Sequence, residues 1–187
     1  MFTLTSNKLW VEQITELILQ LLTDERVEVR ESSADTLSGI LHCGFIKIDD
    51  KLINTFKLKA NHKLVKIKQA NGLIIADPND VTTKHGGILG LCACVNAYHY
   101  DVPQFMPDIL MFMSYHLNDP QPIPVRIIRI KLSYLFNNLF LLQATIKKTL
   151  ANFRRTHLDS WRDHKLKFTD DQLAVITDLL VSPSYYA

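Results

Sequence analysis

The chain has 187 residues, a formal net charge of +2, and 47% hydrophobic against 21% charged residues. At roughly 100–200 residues per domain, that length allows one compact unit or a short helical array, and the composition excludes a disordered or collagen-like chain. Near-neutral charge argues against a dedicated nucleic-acid binder, and Cys43, Cys92 and Cys94 are odd in number and too sparse for a disulfide scaffold.

The Cys-x-Cys of Cys92 and Cys94 lacks a second ligand pair for zinc, so neither a metal nor any other cofactor is expected. A reducing compartment, nucleus or cytoplasm, fits this usage. The opening residues show no basic segment followed by an apolar core, so no secretory signal is read.

Leu9, Trp10, Ile14, Leu17, Ile18, Leu21 and Leu22 recur at three- and four-residue steps, which predicts an amphipathic helix. After Thr23-Asp24-Glu25, a second helical pattern runs through Val29, Ala34, Leu37, Ile40 and Leu41, with Gly44 placed to end it. Residues 1–56 thus read as a helical hairpin. The run from Leu21 to Arg30 resembles the inter-helix signature of HEAT repeats. That resemblance implies that Asp24 caps the second helix, Val29 packs and Arg30 reaches neighbouring polar groups. A plain hairpin with solvated charges is the alternative.

Residues 57–83 read as a basic connector loop, because Lys57, Lys59, Lys63, Lys66 and Lys68 lie among Asn, Gly and Pro without sustained periodicity. It is either a solvated loop or a nuclear import or anionic-surface contact. Residues 84–181 return to helical pattern. His85 to Val95 predicts a buried helix whose small residues allow close approach. Pro103 and Pro107 bracket the start of a helix over Phe105 to Leu117. Leu117-Asn118-Asp119-Pro120 echoes Leu22-Thr23-Asp24-Glu25, and Ile146-Lys147 stands where Val29-Arg30 stood.

The stretch Val125 to Gln143 has no acid, Gly or Pro and uses residues that AT-rich codons specify. Its Val-Arg start can be written GTAAGA and its final Gln CAG, both splice-site sequences. A retained in-frame intron is therefore suspected at 125–143, joining Pro124 to Ala144 when removed. Its loss would take Arg126, Arg129 and Lys131 and bring the net charge from +2 to −1. A genuine extra helix is the rival. A membrane segment is disfavoured, since the uncharged run from Leu132 to Ile146 is shorter than the roughly 20 residues needed to span.

Thr169 is placed as an N-cap with Gln172 at the capping-box position, ahead of an apolar face of Leu173, Ile176, Leu179 and Leu180 that Pro183 stops. Residues 182–187 follow as a short free tail ending Tyr185-Tyr186-Ala187. The chain resembles the C-terminal end of the proteasome activator complex subunit 4 family, very large HEAT-repeat activators of the 20S proteasome. Glu28-Val29-Arg30-Glu31, Tyr100-Asp101-Val102-Pro103, the run from His116 to Ile123, Lys147-Lys148-Thr149-Leu150 and Phe168 to Ala187 carry the resemblance.

The resemblance implies an all-α fold, a HEAT/armadillo-like α-solenoid fragment of antiparallel helix pairs. It also implies that Tyr185, Tyr186 and the Ala187 carboxylate dock between α subunits of the 20S ring and favour gate opening. The family's bromodomain-like region, credited with recognising acetylated histones, would fall in residues 1–56. There the family pattern has Asn-Phe where this chain has Gly44-Phe45. Phe45 is the candidate acetyl-lysine pocket residue, or else packs in the core. If repeats precede this chain in a longer protein, an apolar face at Leu9, Ile14 and Leu17 is expected to be uncovered.

No enzyme constellation is read: the seven histidines are scattered, without a nucleophile elbow, zinc-protease helix or P-loop around them. The rival function is an armadillo-type adaptor that binds a peptide or helix on its repeat surface and has an inert tail.

Overall fold

The computed structural model describes residues 4–68, 74–118 and 133–180. It is all-α, as expected, apart from one short ribbon. Two compact units divide the chain at Ala97 and Tyr98. No helix among the described residues is long and apolar enough to cross a membrane.

The first unit opens with α1 (Leu4–Leu21) and α2 (Val27–His42). The helix-former spacing read from the sequence buries Ile18 and Leu22 on one side and Ala34, Leu37 and Leu41 on the other. Asp24 does not cap α2 as the HEAT pattern implies. The N-cap is Arg26, whose side chain makes no capping bond, and the Asp24 carboxylate instead accepts from the Arg26 amide two residues on, at 2.8 Å. Asp24 therefore fixes the turn that precedes the helix. Arg30 behaves as the pattern implies: its guanidinium donates to the Asp24 and Glu25 carbonyls, at 2.6 and 3.1 Å.

The stretch 57–83 is not the connector loop that its lysines imply. Asp49 accepts from the Leu52 amide at 2.8 Å and starts α3 (Asp50–Ala60), so Lys57 and Lys59 occupy its last turn, where cations complement the helix dipole. Ile53, Phe56 and Ala60 form its buried stripe. Next come β1 (Lys66–Lys68) and β2 (Ile74–Ala76), antiparallel with Ile67 opposite Ile75. The Asp80 carboxylate holds the approach to this ribbon, accepting from the Val65 amide and contacting His62 Nε2, both at 2.8 Å. Those two bonds hold its carboxyl below the usual range.

At the centre of the unit lies α4 (Pro78–Asn96), packed by α2 and α3. It is buried continuously from Lys84 to Val95. Glycine is required here by proximity: a Cβ on Gly87 would overlap the α3 main chain at Ala60 N, and one on Gly90 would overlap the Phe56 ring. Cys92 and Cys94 pack in this helix as small apolar groups, and burial pushes the Cys94 thiol up to about 12.

The second unit contains α5 (Met106–Asn118), α6 (Ser133–His157), a single turn α7 (Trp161–His164), a 3-10 turn at Lys165–Lys167, and α8 (Asp170–Leu180). Met106, Ile109, Leu110 and Met113 of α5 meet Ile146, Leu150 and Phe153 of α6 and Ile176 of α8 in its core. The parallel of Ile146-Lys147 with Val29-Arg30 holds only in part. Ile146 is buried, but Lys147 is exposed where Arg30 is buried.

Candidate functional site

Three regions carry residues of functional interest: the loop after α2, the anchor of α1 and α2 on α4, and the end of α8. At the first, α2 ends in a Schellman motif. Gly44 N donates to Leu41 O at 3.1 Å and Phe45 N to Ile40 O at 3.2 Å, with Gly44 at φ +73°. This left-handed conformation suits Gly and, next, Asn. The chain thereby turns Phe45 outward, and its ring is 65% exposed. It is not a core residue. Core packing is the usual fate of an aromatic after a helix, but here the sixth residue of the motif is also the first of the loop to α3.

Phe45 lines an open groove of about 920 Å³ between α1 on one wall and the 45–49 loop with α3 on the other. The α1 wall supplies Val11, Glu12, Thr15, Glu16 and Leu19, and the opposite wall adds Ile46, Lys47 and Lys59. Glu12 and Glu16 are one helical turn apart, and neither takes part in an ion pair among the described residues. Sequence reading did not single them out, although their i, i+4 spacing beside the Val11, Thr15, Leu19 row was visible.

The second region anchors the α1–α2 turn and α2 on α4. Arg30, 2% exposed, donates from Nε to His85 Nδ1 at 2.9 Å, besides its bonds to the α1–α2 turn. One side chain thus ties α1, α2 and α4. Burial first, and the adjacent Arg30 cation second, push the His85 imidazole down to about 3. A neutral ring is what an acceptor at Nδ1 requires.

At α8 the expected capping box is present: Thr169 N donates to Gln172 Oε1 at 3.0 Å and Gln172 N to Thr169 Oγ1 at 3.3 Å. Tyr185, Tyr186 and Ala187, with the rest of 182–187, lie outside the described residues, as do residues 125–132 of the stretch 125–143, whose remaining residues belong to α6.

The histidines of the second unit do not assemble a reaction centre. His157 and His164 are both buried with ring centroids 5.2 Å apart, but they face carbonyls, hydroxyls and aromatic rings rather than a cleft. Burial, followed by the neighbouring His157 and Lys167, depresses His164. No group of three potential metal ligands occurs among the described residues.

The chain matches the family described as proteasome activator complex subunit 4-like, C-terminal, over residues 81–135 and 126–187, two stretches that meet inside 125–143. Proteasome activator complex subunit 4 of Xenopus laevis is 44% identical over 190 residues, covering 100% of this chain and 9% of the relative. The Homo sapiens protein of that name is 45% identical with the same coverage. Proteasome activator subunit 4 of Arabidopsis thaliana is 30% identical over 177 residues, 94% of this chain and 8% of the relative. The chain therefore spans about 9% of the length of these animal relatives.

Proposed function

Because the chain belongs to the family of proteasome activator complex subunit 4-like C-terminal regions, we propose that it is the C-terminal part of a 20S proteasome activator. In this reading the tail Tyr185-Tyr186-Ala187 docks between α subunits of the 20S ring. Tyr186 offers a ring to bury and a hydroxyl to hydrogen-bond, Tyr185 adds apolar contact, and the terminal carboxylate pairs with a pocket cation. Seating the tail favours the open state of the gate, converting binding energy into a population shift. The role is regulatory, without catalysis by this chain, and is exercised in nucleus and cytoplasm.

The observation that carries the reading is the identity of the whole chain, at 44–46%, to animal proteins named as proteasome activator subunits. Of the face expected at Leu9, Ile14 and Leu17, Leu9 and Leu17 are uncovered, with Trp10 beside them, while Ile14 is half-buried; the uncovered residues support placing the chain within a longer HEAT-type array whose further repeats would cover them. In the full-length activator, Tyr186→Ala is expected to cut co-sedimentation with 20S particles and peptidase stimulation by about tenfold or more, the scale of losing a buried aromatic anchor. Unchanged stimulation overturns the tail mechanism and leaves the adaptor with an inert tail.

A second reading concerns residues 1–56, where acetylated histones would be recognised at Phe45, linking the activator to histone degradation and DNA repair. Its support is the exposure of Phe45 on a groove rim. Against it stands Gly44, which occupies the position of the family's Asn and has no amide to donate to an acetyl carbonyl.

A further inference from the structure

We propose that the outward face of α6, from Lys147 to Leu158, docks an acidic amphipathic segment of a partner protein. The surface lies apart from the tail in sequence, and its occupancy does not depend on tail docking.

Two faces of opposite character run along α6. Ile146, Thr149, Leu150, Phe153 and His157 are buried, whereas Lys147, Lys148, Ala151, Arg154 and Arg155 are exposed. At about 3.6 residues per turn, the exposed residues fall within an arc of about 120°. The cations therefore form two adjacent pairs on one side of the helix, about 10 Å apart along its axis, with the small Ala151 between them. Where the first unit turns Arg30 inward to main-chain carbonyls, the second unit leaves Lys147 in solvent.

Helix stability alone does not account for this face. From Ser133 to His157, α6 contains no acidic residue. The positions one turn before the cations are Gln143, Ala144, Leu150 and Ala151, so the usual carboxylate support at i−4 is missing from all of them. Arg154 and Arg155 complement the helix dipole in the last turn, but Lys147 and Lys148 lie well inside the helix, beyond its reach. Arg155 is held by its own helix, donating from Nη2 to Asn152 Oδ1 at 3.0 Å, and a guanidinium has further N–H groups to offer a carboxylate.

The chemistry of the partner follows from what continues the face. Leu158, 63% exposed, stands directly after α6, and Leu166, 81% exposed, lies on the 3-10 turn that Asp101 clamps through Lys167 at 2.7 Å. His157 Nε2 meets the Asp101 carbonyl at 3.1 Å, so both leucines adjoin residues of one junction. A phosphate backbone gains nothing from leucine and is repelled by the exposed Asp159 and Asp163, which lie between the two leucines in sequence. A protein segment with paired carboxylates followed by an apolar side chain satisfies both halves of the surface.

The test uses the full chain and a synthetic helical peptide with two Glu pairs seven residues apart and a leucine three residues after the second pair, followed by fluorescence anisotropy. A scrambled peptide of the same composition and a duplex DNA of equal charge are the controls. The patterned peptide is expected to bind about fivefold more tightly than the scrambled one, with affinity falling as salt rises. Lys147→Glu with Arg154→Glu should weaken it about tenfold, and Leu158→Ala about threefold, while circular dichroism shows the fold intact. Lys147→Gln with Arg154→Gln, expected to weaken it about threefold, keeps the test decisive if charge reversal disturbs the helix. Equal affinity for the scrambled peptide, or binding of neither, overturns the proposal. Tighter binding of the duplex makes the face a nucleic-acid surface and overturns it as well. Patterned binding that survives both double substitutions, or that falls as far in Lys51→Glu on α3, overturns the assignment to α6.

Discussion

Arg30 and His85 carry the first unit's most demanding polar contact. A guanidinium 2% exposed and an imidazole 1% exposed satisfy each other only while His85 is neutral. The unfolded chain protonates this histidine near its ordinary 6.5, whereas the folded chain resists until about 3. The unfolded state therefore binds more protons across that window, so stability is full above about pH 6.5 and falls as the pH drops toward 3. Between about pH 7 and about pH 5 the loss is about 2 kcal/mol. Urea unfolding at the two pH values measures it. His85→Gln, whose amide oxygen can still accept from Arg30 without titrating, should flatten the dependence. An equally steep dependence in that variant would assign the effect to other groups. Arg30 was legible in the sequence as a residue that seeks polar partners, but its partner 55 positions away was not. No local pattern marks a histidine that becomes an acceptor only because a different helix brings a cation to it.

Helix packing separates two glycines that look alike in sequence. Gly39 on α2 is exposed, has an ordinary backbone, and has no atom within 4 Å of where a Cβ would stand. Gly87 on α4 faces main-chain atoms of α3 that cannot rotate away. Gly39→Ala should then stabilise by about 0.5–1 kcal/mol through helix propensity. Gly87→Ala should destabilise by about 1–3 kcal/mol through overpacking, despite the same propensity gain. Thermal unfolding of the two variants gives opposite signs if the α3–α4 contact is as close as described, and a stabilised Gly87→Ala refutes it. The same contact explains why α4 was legible while α3 was not. The small-residue run from Gly86 to Cys94 announces a buried helix whatever it packs against. In α3, the apolar positions Ile53, Phe56 and Ala60 are diluted by Lys51, Lys57 and Lys59, so the charges suggest a loop until Asp49 is seen to cap it. The Schellman end at Gly44 and the capping box at Thr169 were readable because each is closed by residues within a turn of one another.

For the chain as a whole, the open question posed by its composition is whether Val125 to Gln143 belongs to the mature protein. The family match is broken inside this stretch, as an interruption would produce. The proposed junction falls within α6, between Gln143 and Ala144. Beyond it, Ile146, Thr149, Leu150, Phe153 and His157 form one buried face at i, i+3, i+4, i+7 and i+11, long enough to seat the helix by itself. Before it, Leu142 is buried and Gln143 makes a 3.4 Å bond to Leu117 O, at the limit of a hydrogen bond. Among the residues whose burial is described, excision keeps that face of α6 and removes the burial of Leu142, worth about 1.5–3 kcal/mol. The chain lacking 125–143 is expected to unfold cooperatively, and message reads should join the Pro124 and Ala144 codons. Uniform coverage of the 125–143 codons in mature message, or a shortened chain that does not fold, makes the stretch an authentic part of α6.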